Sequence, residues 1–209
     1  PEDIYDYVNF GKAIPEKSVV ITMDDGYRSN LEEAYEILKD FGFQATIFPI
    51  GHSIGKDTYK ETGHKIHPHF DVEEALEKMD VFTYGSHTYD MHQSTDLETG
   101  KLIRNFATPL EGEDEFDFAE AFRQDIEAED EALTYLMPGL KSFAYPGGVY
   151  SDISAVLLEE NDYKVSFLTD PHQNYLVKGL RQTALGLGRF NMTDHTSYED
   201  TLKILNSYK

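Results

Sequence analysis

Short apolar runs alternate along the chain with segments whose apolar residues recur at the period of a helix. Runs long enough for buried strands occur at 18–23, 44–49, 81–84, 142–145, 165–168 and 185–190. Between the first two runs, one face of a helix would carry Leu31, Ala34, Tyr35 and Leu38. Strand and helix in repeated alternation predict an α/β fold with a mainly parallel sheet covered by helices.

Capping residues indicate where several helices begin. A helix over 71–79 starts at an aspartate, and Glu74 three residues later completes the pattern of a capping box. Ser151 and Ser197 precede two further helices, and a long acidic helix is predicted over 116–137. In such folds the chemistry collects in the loops at the carboxyl ends of the strands.

Composition and charge narrow the range of partners. The length of 209 residues favours a single domain over 1–209, and a hydrophobic content of 40% is enough for a core. Eighteen Lys and Arg against 39 Asp and Glu give a net charge of −21, which repels phosphate backbones and anionic lipids. We therefore expect no nucleic acid partner and find a neutral or cationic ligand easier to accommodate.

The absence of cysteine excludes several kinds of site. With no cysteine in the chain, there are no disulfides, catalytic cysteines, iron–sulfur clusters or thiolate zinc sites. No window approaches the ~20 apolar residues of a membrane span, so no membrane-spanning segment is predicted. The chain begins with Pro1 rather than Met, from which we expect a mature form without its leader.

Two adjacent carboxylates follow the first predicted strand. Asp24 and Asp25 are followed by Gly26, which permits a sharp turn, so both carboxylates can reach one site in different orientations. One is suited to ligate a cation and the other to accept a proton. The tripeptide alone also fits an ordinary turn.

Two histidines follow the third predicted strand. His87 and His92 are five residues apart, which is about 140° around a helix, so only a loop brings them together. Together with the carboxylates after another strand, they favour a metal site of two imidazoles and one carboxylate. The alternative is a polar surface loop.

Two further strand ends carry candidate groups. Gly147, in a Pro-Gly-Gly sequence, lets a substrate approach the backbone, and its N–H is suited to donate to a developing oxyanion. The alternative is a plain loop before the next helix. Arg189 places a cation at the end of the last predicted strand, where an ion pair with any of the many acids is the alternative.

In this order the motifs resemble the polysaccharide deacetylases of carbohydrate esterase family four, the NodB homology domain. The motifs are T-M-D-D-G at 22–26, G-S-H-T-Y-D-M-H at 85–92, F-A-Y-P-G-G at 143–148 and L-G-R at 187–189. The subgroup that acts on poly-N-acetylglucosamine exopolysaccharide is the most similar. The resemblance implies a distorted, incomplete (β/α) barrel with six to seven parallel strands.

The resemblance also implies an activity. A divalent metal, zinc or alternatively cobalt or nickel, would be held by Asp25, His87 and His92, with Asp24 as the base and Gly147 at the oxyanion. The reaction would be hydrolytic N-deacetylation of a GlcNAc-containing polysaccharide, an exopolysaccharide or peptidoglycan, with release of acetate. Because such a polymer lies outside the membrane, we expect an extracellular or cell-surface bacterial protein.

Three positions depart from the family's pattern. Phe143 stands where the third motif usually begins with the Arg that orients the base, and Gly147 replaces a Tyr. Arg189 stands where the last motif usually supplies a His as general acid, whose contribution is typically 10²- to 10⁴-fold. We therefore expect Arg189 to hold Asp24 in place of the usual Arg, its arrival being linked to Phe143.

Other histidines offer alternatives. His172 and His195 are candidates for the missing general acid, and His64, His67 and His69 are candidates for an auxiliary metal site.

Two other function classes stay open. Two histidines and one carboxylate also hold Fe(II) in oxygenases, but those are expected on antiparallel β architecture with a His-x-Asp pair. The missing third-motif Arg and last-motif His also fit a glycan-binding domain that has lost catalysis. Acetate release measured with and without a chelator separates all three classes.

Overall fold

The computed structural model describes residues 1–92 and 104–207, which form a mixed α/β fold. The helices are α1 (Glu2–Phe10), α2 (Arg28–Asp40), α3 (Val72–Leu76), α4 (Glu115–Ala132), α5 (Asp152–Glu160) and α6 (Tyr198–Ser207). The strands are β1 (Ile21–Asp25), β2 (Ala45–Pro49), β3 (Thr58–Tyr59), β4 (His64–Lys65), β5 (Phe82–Tyr84), β6 (Lys141–Ala144) and β7 (Tyr163–Phe167). No helix in these two ranges is both long and apolar enough to cross a bilayer.

Five parallel strands carry the candidate site. One sheet has the order β1-β2-β5, and a second pairs β6 with β7. Just beyond β5, Ser86 joins the two sheets by a parallel bridge, in which its N–H donates to Ser142 and its carbonyl accepts from Ala144. The strands therefore form one curved series whose carboxyl ends lie at the same side. The short strands β3 and β4 form a separate antiparallel hairpin.

The predicted last strand over 185–190 is wrong in extent. Only Leu187 pairs with β7, by one parallel bridge in which it donates to Ser166 and accepts from Leu168 at 2.8 Å each. Among the described residues, no backbone hydrogen bond links this segment to β1, so the barrel is incomplete there. Residues 1–92 and 104–207 thus contain five extended parallel strands where the resemblance implies six to seven.

The capping predictions are confirmed, although two helices are shorter than expected. Asp71 and Glu74 form the capping box of α3, which ends at Leu76. Helix α4 ends at Ala132 rather than near 137, and Leu133 and Leu136 beyond it are buried in the core. Burying one such side chain stabilises the fold by roughly 1.5–3 kcal/mol. The path of the chain after Ala132 is therefore set by the burial of these two leucines and not by continuation of the helix.

Helix α1 was not predicted from the sequence. Its buried residues Ile4 and Val8 pack with Phe48, Val165 and Phe167 of the parallel strands. Pro1 at its N-cap makes no side-chain capping bond, so the usual start signal is absent. The helix is stabilised by its packing against the sheet rather than by a local signal.

Candidate metal centre

The end of β1 turns sharply, and this turn brings two adjacent carboxylates to one site. Asp25 has a φ of 69° and Gly26 a φ of 81°, both in the left-handed region. A residue other than glycine is uncommon in this region and is often found at functional sites. A Cβ at Gly26 would lie 2.6 Å from Cβ of Pro49, so position 26 requires glycine for space as well as conformation.

The three expected ligands come together. Oδ1 of Asp25 lies 3.5 Å from Nε2 of His87 and 3.6 Å from Nε2 of His92. The three candidate ligand atoms all lie within 4.8 Å of one another. Ligands at about 2.0–2.1 Å from a tetrahedral zinc stand roughly 3.3–3.5 Å apart, so the spacing fits such an ion after small adjustments.

The carboxylate of Asp25 has the environment of a ligand. Its Oδ1 atom is buried and has no hydrogen-bond partner among the described residues. A buried carboxylate oxygen without a donor is costly, and a cation between it and the two imidazoles would remove that cost. The residues therefore fit a divalent cation.

Each imidazole is oriented through its second nitrogen. Nδ1 of His87 donates to the carbonyl oxygen of Ala144 at 2.6 Å, and Nδ1 of His92 lies 3.0 Å from Oδ1 of Asn105. With the hydrogen on Nδ1, the lone pair of Nε2 is available to a cation. Burial lowers the pKa of His87, which favours the neutral ligand form.

Two polar residues lie next to the expected ligands without having been predicted as part of the site. Asn105 lies in an irregular segment outside the motifs, and no signal in its surroundings points to His92. Tyr27 follows the first motif, and burial together with the negative charge of Asp25 raises the pKa of its hydroxyl to about 12. The tyrosine hydroxyl therefore stays protonated throughout the neutral range.

The expected contact between Arg189 and Asp24 is present. Nη1 of Arg189 donates to Oδ1 of Asp24 and Nη2 donates to Oδ2, each at 2.7 Å. The guanidinium also donates to Thr22 at 3.1 Å and, through Nε, to the carbonyl oxygen of Leu168 at 2.8 Å. Arg189 thus spans the gap beside β1 and fixes both oxygens of Asp24 in a bidentate pair.

The same pair controls the charge of Asp24. Burial opposes the ionised form, but the hydrogen-bonded guanidinium of Arg189, together with the charge of the two imidazoles, outweighs it and lowers the pKa of Asp24 below its ordinary value. Asp24 is consequently ionised at neutral pH, which is the form able to accept a proton.

The expected link between Arg189 and Phe143 is wrong. The side chain of Phe143 packs between Phe122 and Tyr163, in the cluster that lies under α4 and α5. Successive strand residues face opposite sides, so it is Ala144 that packs against Phe167, and the guanidinium of Arg189 lies 6.0 Å from the centre of that ring. The barrel interior is faced by position 144 rather than by 143.

Gly147 lies in a short 3₁₀ turn that leaves no room for a side chain. Its φ is 59°, and a Cβ there would lie 2.7 Å from Cε1 of Phe106. The ring of Phe106 therefore occupies the space that a side chain at position 147 would need. The turn is held by Thr169, whose hydroxyl donates to the carbonyl oxygen of Gly147 at 2.9 Å. The oxyanion role of Gly147 stays a prediction.

The other histidines do not enlarge the centre. In the described ranges, the only group of three or more His, Asp or Glu residues with metal-ligand spacing is the one above, so the auxiliary site at His64, His67 and His69 is not formed. Two of these rings pack against Tyr27 instead. The candidate acids His172 and His195 are exposed or partly exposed beside Asp170 and Asp194, and their role stays a prediction.

Comparison with known sequences gives a consistent picture. A sequence profile described as polysaccharide deacetylase matches residues 11–166. A putative polysaccharide deacetylase of Bacillus subtilis (strain 168), YxkH, is 29% identical over 158 residues, which are 75% of this chain and 46% of that protein. The chain therefore spans about half the length of this relative.

Comparison with solved structures confirms the predicted fold. A de-N-acetylase from Aggregatibacter actinomycetemcomitans superposes with a TM-score of 0.75 at 17% identity, covering 97% of this chain and 80% of that one. IcaB from Ammonifex degensii gives 0.74 at 21% identity, covering 98% and 80%. The Streptococcus pyogenes deacetylase PplD, in complex with acetate, gives 0.67 at 20% identity, covering 99% and 78%.

Proposed function

Because the chain belongs to the polysaccharide deacetylase family, we propose that it removes acetyl groups from a GlcNAc-containing polysaccharide by metal-dependent hydrolysis. The observation that carries this proposal is the convergence of Asp25, His87 and His92 beside the ionised Asp24. Metal-dependent hydrolysis of an amide needs a set of metal ligands and a base. The first carboxylate and the two imidazoles would supply the ligands, and the second carboxylate, held by Arg189, would supply the base.

Asp25, His87 and His92 would hold the cation, for which zinc is the proposed metal and cobalt or nickel the alternatives. When bound, such an ion polarises a carbonyl group and lowers the pKa of a coordinated water towards about 7. A divalent cation bound by two neutral imidazoles and one carboxylate keeps one net positive charge. The negative charge of the chain therefore favours binding of the cation.

Asp24 is the proposed general base. It accepts the proton of the attacking water at one carboxylate oxygen, and Arg189 prevents the carboxylate from rotating away during this step. The pair also keeps Asp24 ionised beside a substrate that excludes water. Arg189 is in this sense a positioning residue, since it acts through Asp24.

Gly147 is the proposed oxyanion donor. Its N–H would donate to the substrate carbonyl oxygen as negative charge develops there. The ring of Phe106 fills the space on the side-chain face of Gly147, so the substrate would have to approach this N–H from the opposite side of the turn.

The charge of the chain supports this substrate class. A GlcNAc polymer is neutral and becomes cationic as acetamides are converted to amines, so a protein of net charge −21 does not repel the substrate or the product. A polymer of this size lies outside the cell, and we propose an extracellular or cell-surface location.

Acetate release from N-acetylglucosamine oligomers tests the proposal. The metal-loaded protein should release acetate, a chelator should stop the release, and added zinc, cobalt or nickel should restore it. Release that continues after complete removal of the metal would contradict the metal-dependent reaction.

Arg189 at the position of the usual acid favours a second candidate, a glycan-binding domain without turnover. Oligomer binding by the metal-loaded protein with no acetate release would establish that candidate and overturn hydrolysis.

A further inference from the structure

Two acidic side chains of α4 reach the loop that carries both histidines. Asp125 and Glu129 lie one helical turn apart and are both buried. A buried carboxyl group is costly unless its oxygens accept hydrogen bonds, so each of these side chains needs a structural reason. Neither belongs to the proposed ligands or base.

Asp125 binds the backbone between the two histidines. Thr88 has a φ of 72°, a left-handed conformation that points successive amides in similar directions. Oδ2 of Asp125 accepts from the amide of Tyr89 and Oδ1 accepts from the amide of Asp90, both at 2.8 Å. The loop therefore forms a concave anion site, and α4 supplies the anion.

Further contacts hold the loop from other directions. The side chain of Asp90 is paired with Lys60 at 2.7 Å. Oε1 of Glu129 lies 3.4 Å from the amide nitrogen of His87. A Cβ on Gly51 would overlap the carboxylate of Glu129, so this side chain is enclosed on that side. Of these contacts, the one made by Asp125 lies between the two histidines and engages two amides at once.

We propose that Asp125 is a positioning residue of the metal centre, whose carboxylate fixes the backbone of residues 88–90 and thereby sets the separation of His87 and His92. This inference rests on the proposed metal site. The left-handed conformation at Thr88 is unfavourable for a β-branched residue, and the two charge-assisted hydrogen bonds compensate for it. Without them the loop relaxes, and the two imidazoles no longer face Asp25 together.

The test compares Asp125→Asn with Glu127→Gln. The asparagine presents one oxygen to the two amides, so one N–H loses its acceptor. Glu127 is exposed on the same helix, and its substitution removes the same charge without touching the loop. Zinc affinity of the full chain is measured by competition with a chromophoric chelator, and the geometry of the site by the visible absorption of the cobalt-loaded protein.

We expect one zinc per chain in the wild type and an affinity about 10- to 100-fold lower in Asp125→Asn, together with a changed cobalt spectrum. Glu127→Gln should match the wild type in both measurements. If Asp125→Asn matches the wild type, the positioning role is wrong while the metal site stands. If the wild type itself binds no zinc, the proposed metal site fails.

A second measurement uses only the wild-type protein, so it is valid even if Asp125→Asn does not fold. In the metal-free wild-type protein, the amide hydrogens of Tyr89 and Asp90 should exchange slowly with solvent, because both are bound to Asp125. Fast exchange of these two amides, in a protein whose α4 amides are protected, would overturn the inference.

Discussion

Replacing Asp125 by asparagine should change how the stability of the metal-free protein depends on pH. Burial raises the pKa of Asp125 from 3.8 to about 6, although the amides of Asp90 and Tyr89 act in the opposite direction. The folded state therefore holds the Asp125 proton more tightly than the unfolded state does. Asparagine has no proton to lose and removes this linkage.

The sign and size of the effect follow from the two pKa values. The folded pKa is the higher one, so the stability contributed by the protonated side chain is complete below the unfolded pKa. It is lost as pH rises through the folded value. Between pH 5 and pH 8, the free energy of unfolding of the wild type should fall by about 1.4 kcal/mol relative to that of Asp125→Asn.

Urea unfolding in excess chelator measures this difference. Curves for the wild type, Asp125→Asn and Glu127→Gln are recorded at pH 5, 6, 7 and 8, and equal m values show that the unfolding transitions are comparable. Taking the difference between wild type and variant cancels the titration of the acids that both share. Glu127→Gln reports the effect of removing an exposed charge from the same helix.

A constant difference between wild type and Asp125→Asn across this range would refute the reasoning, because it would mean that the carboxyl group titrates equally in both states. A wild type that gains stability relative to the variant as pH rises would show that the amides of Tyr89 and Asp90 outweigh burial. The expected result would show that ionisation of the Asp125 carboxyl group lowers the stability of the metal-free fold as pH rises.

Four substitutions at the centre have distinct expected outcomes. Asp24→Asn should abolish acetate release while zinc content stays at the wild-type level, because a base is not a ligand; retained activity would assign the base elsewhere. His87→Ala should lose both zinc and activity, and a zinc-replete variant would remove His87 from the ligand set. Arg189→Met should lower kcat on the order of 10- to 100-fold at similar KM. Without the guanidinium, burial raises the pKa of Asp24, so the acidic limb of the pH–rate profile should move to higher pH. An unchanged limb would argue against this role. Asn105→Ala should weaken zinc binding about 10- to 100-fold in chelator competition, and unchanged binding would mean that the side-chain amide does not orient His92.

Local patterns in the sequence determined most of the elements and the identity of the motifs. The apolar runs predicted the strands because a strand buried on both faces, such as β2, is apolar at most successive positions. The capping boxes at Asp71 and Ser151 are equally local, since each is made by residues three positions apart. Strand ends in a parallel fold share one side, and together with the family's missing third-motif Arg this led to the expectation of Arg189 beside Asp24, 165 residues away.

The tertiary structure decided which side of each element faces the site. Whether Phe143 or Ala144 points into the barrel depends on the register of β6 against β7 and Ser86, which a spacing of motifs does not contain. The segment around Leu187 likewise pairs by a single bridge to β7, and the side chain of Arg189 is what contacts Thr22 of β1.

The supporting contacts of the centre also depended on packing. Asn105 reaches His92, and Asp125 reaches the amides of Tyr89 and Asp90. These residues carry no periodic or positional signal of their own. In the sequence, Asp125 cannot be distinguished from the exposed acids of the same helix. Only the packing of the helix decides which backbone amides donate to its carboxylate.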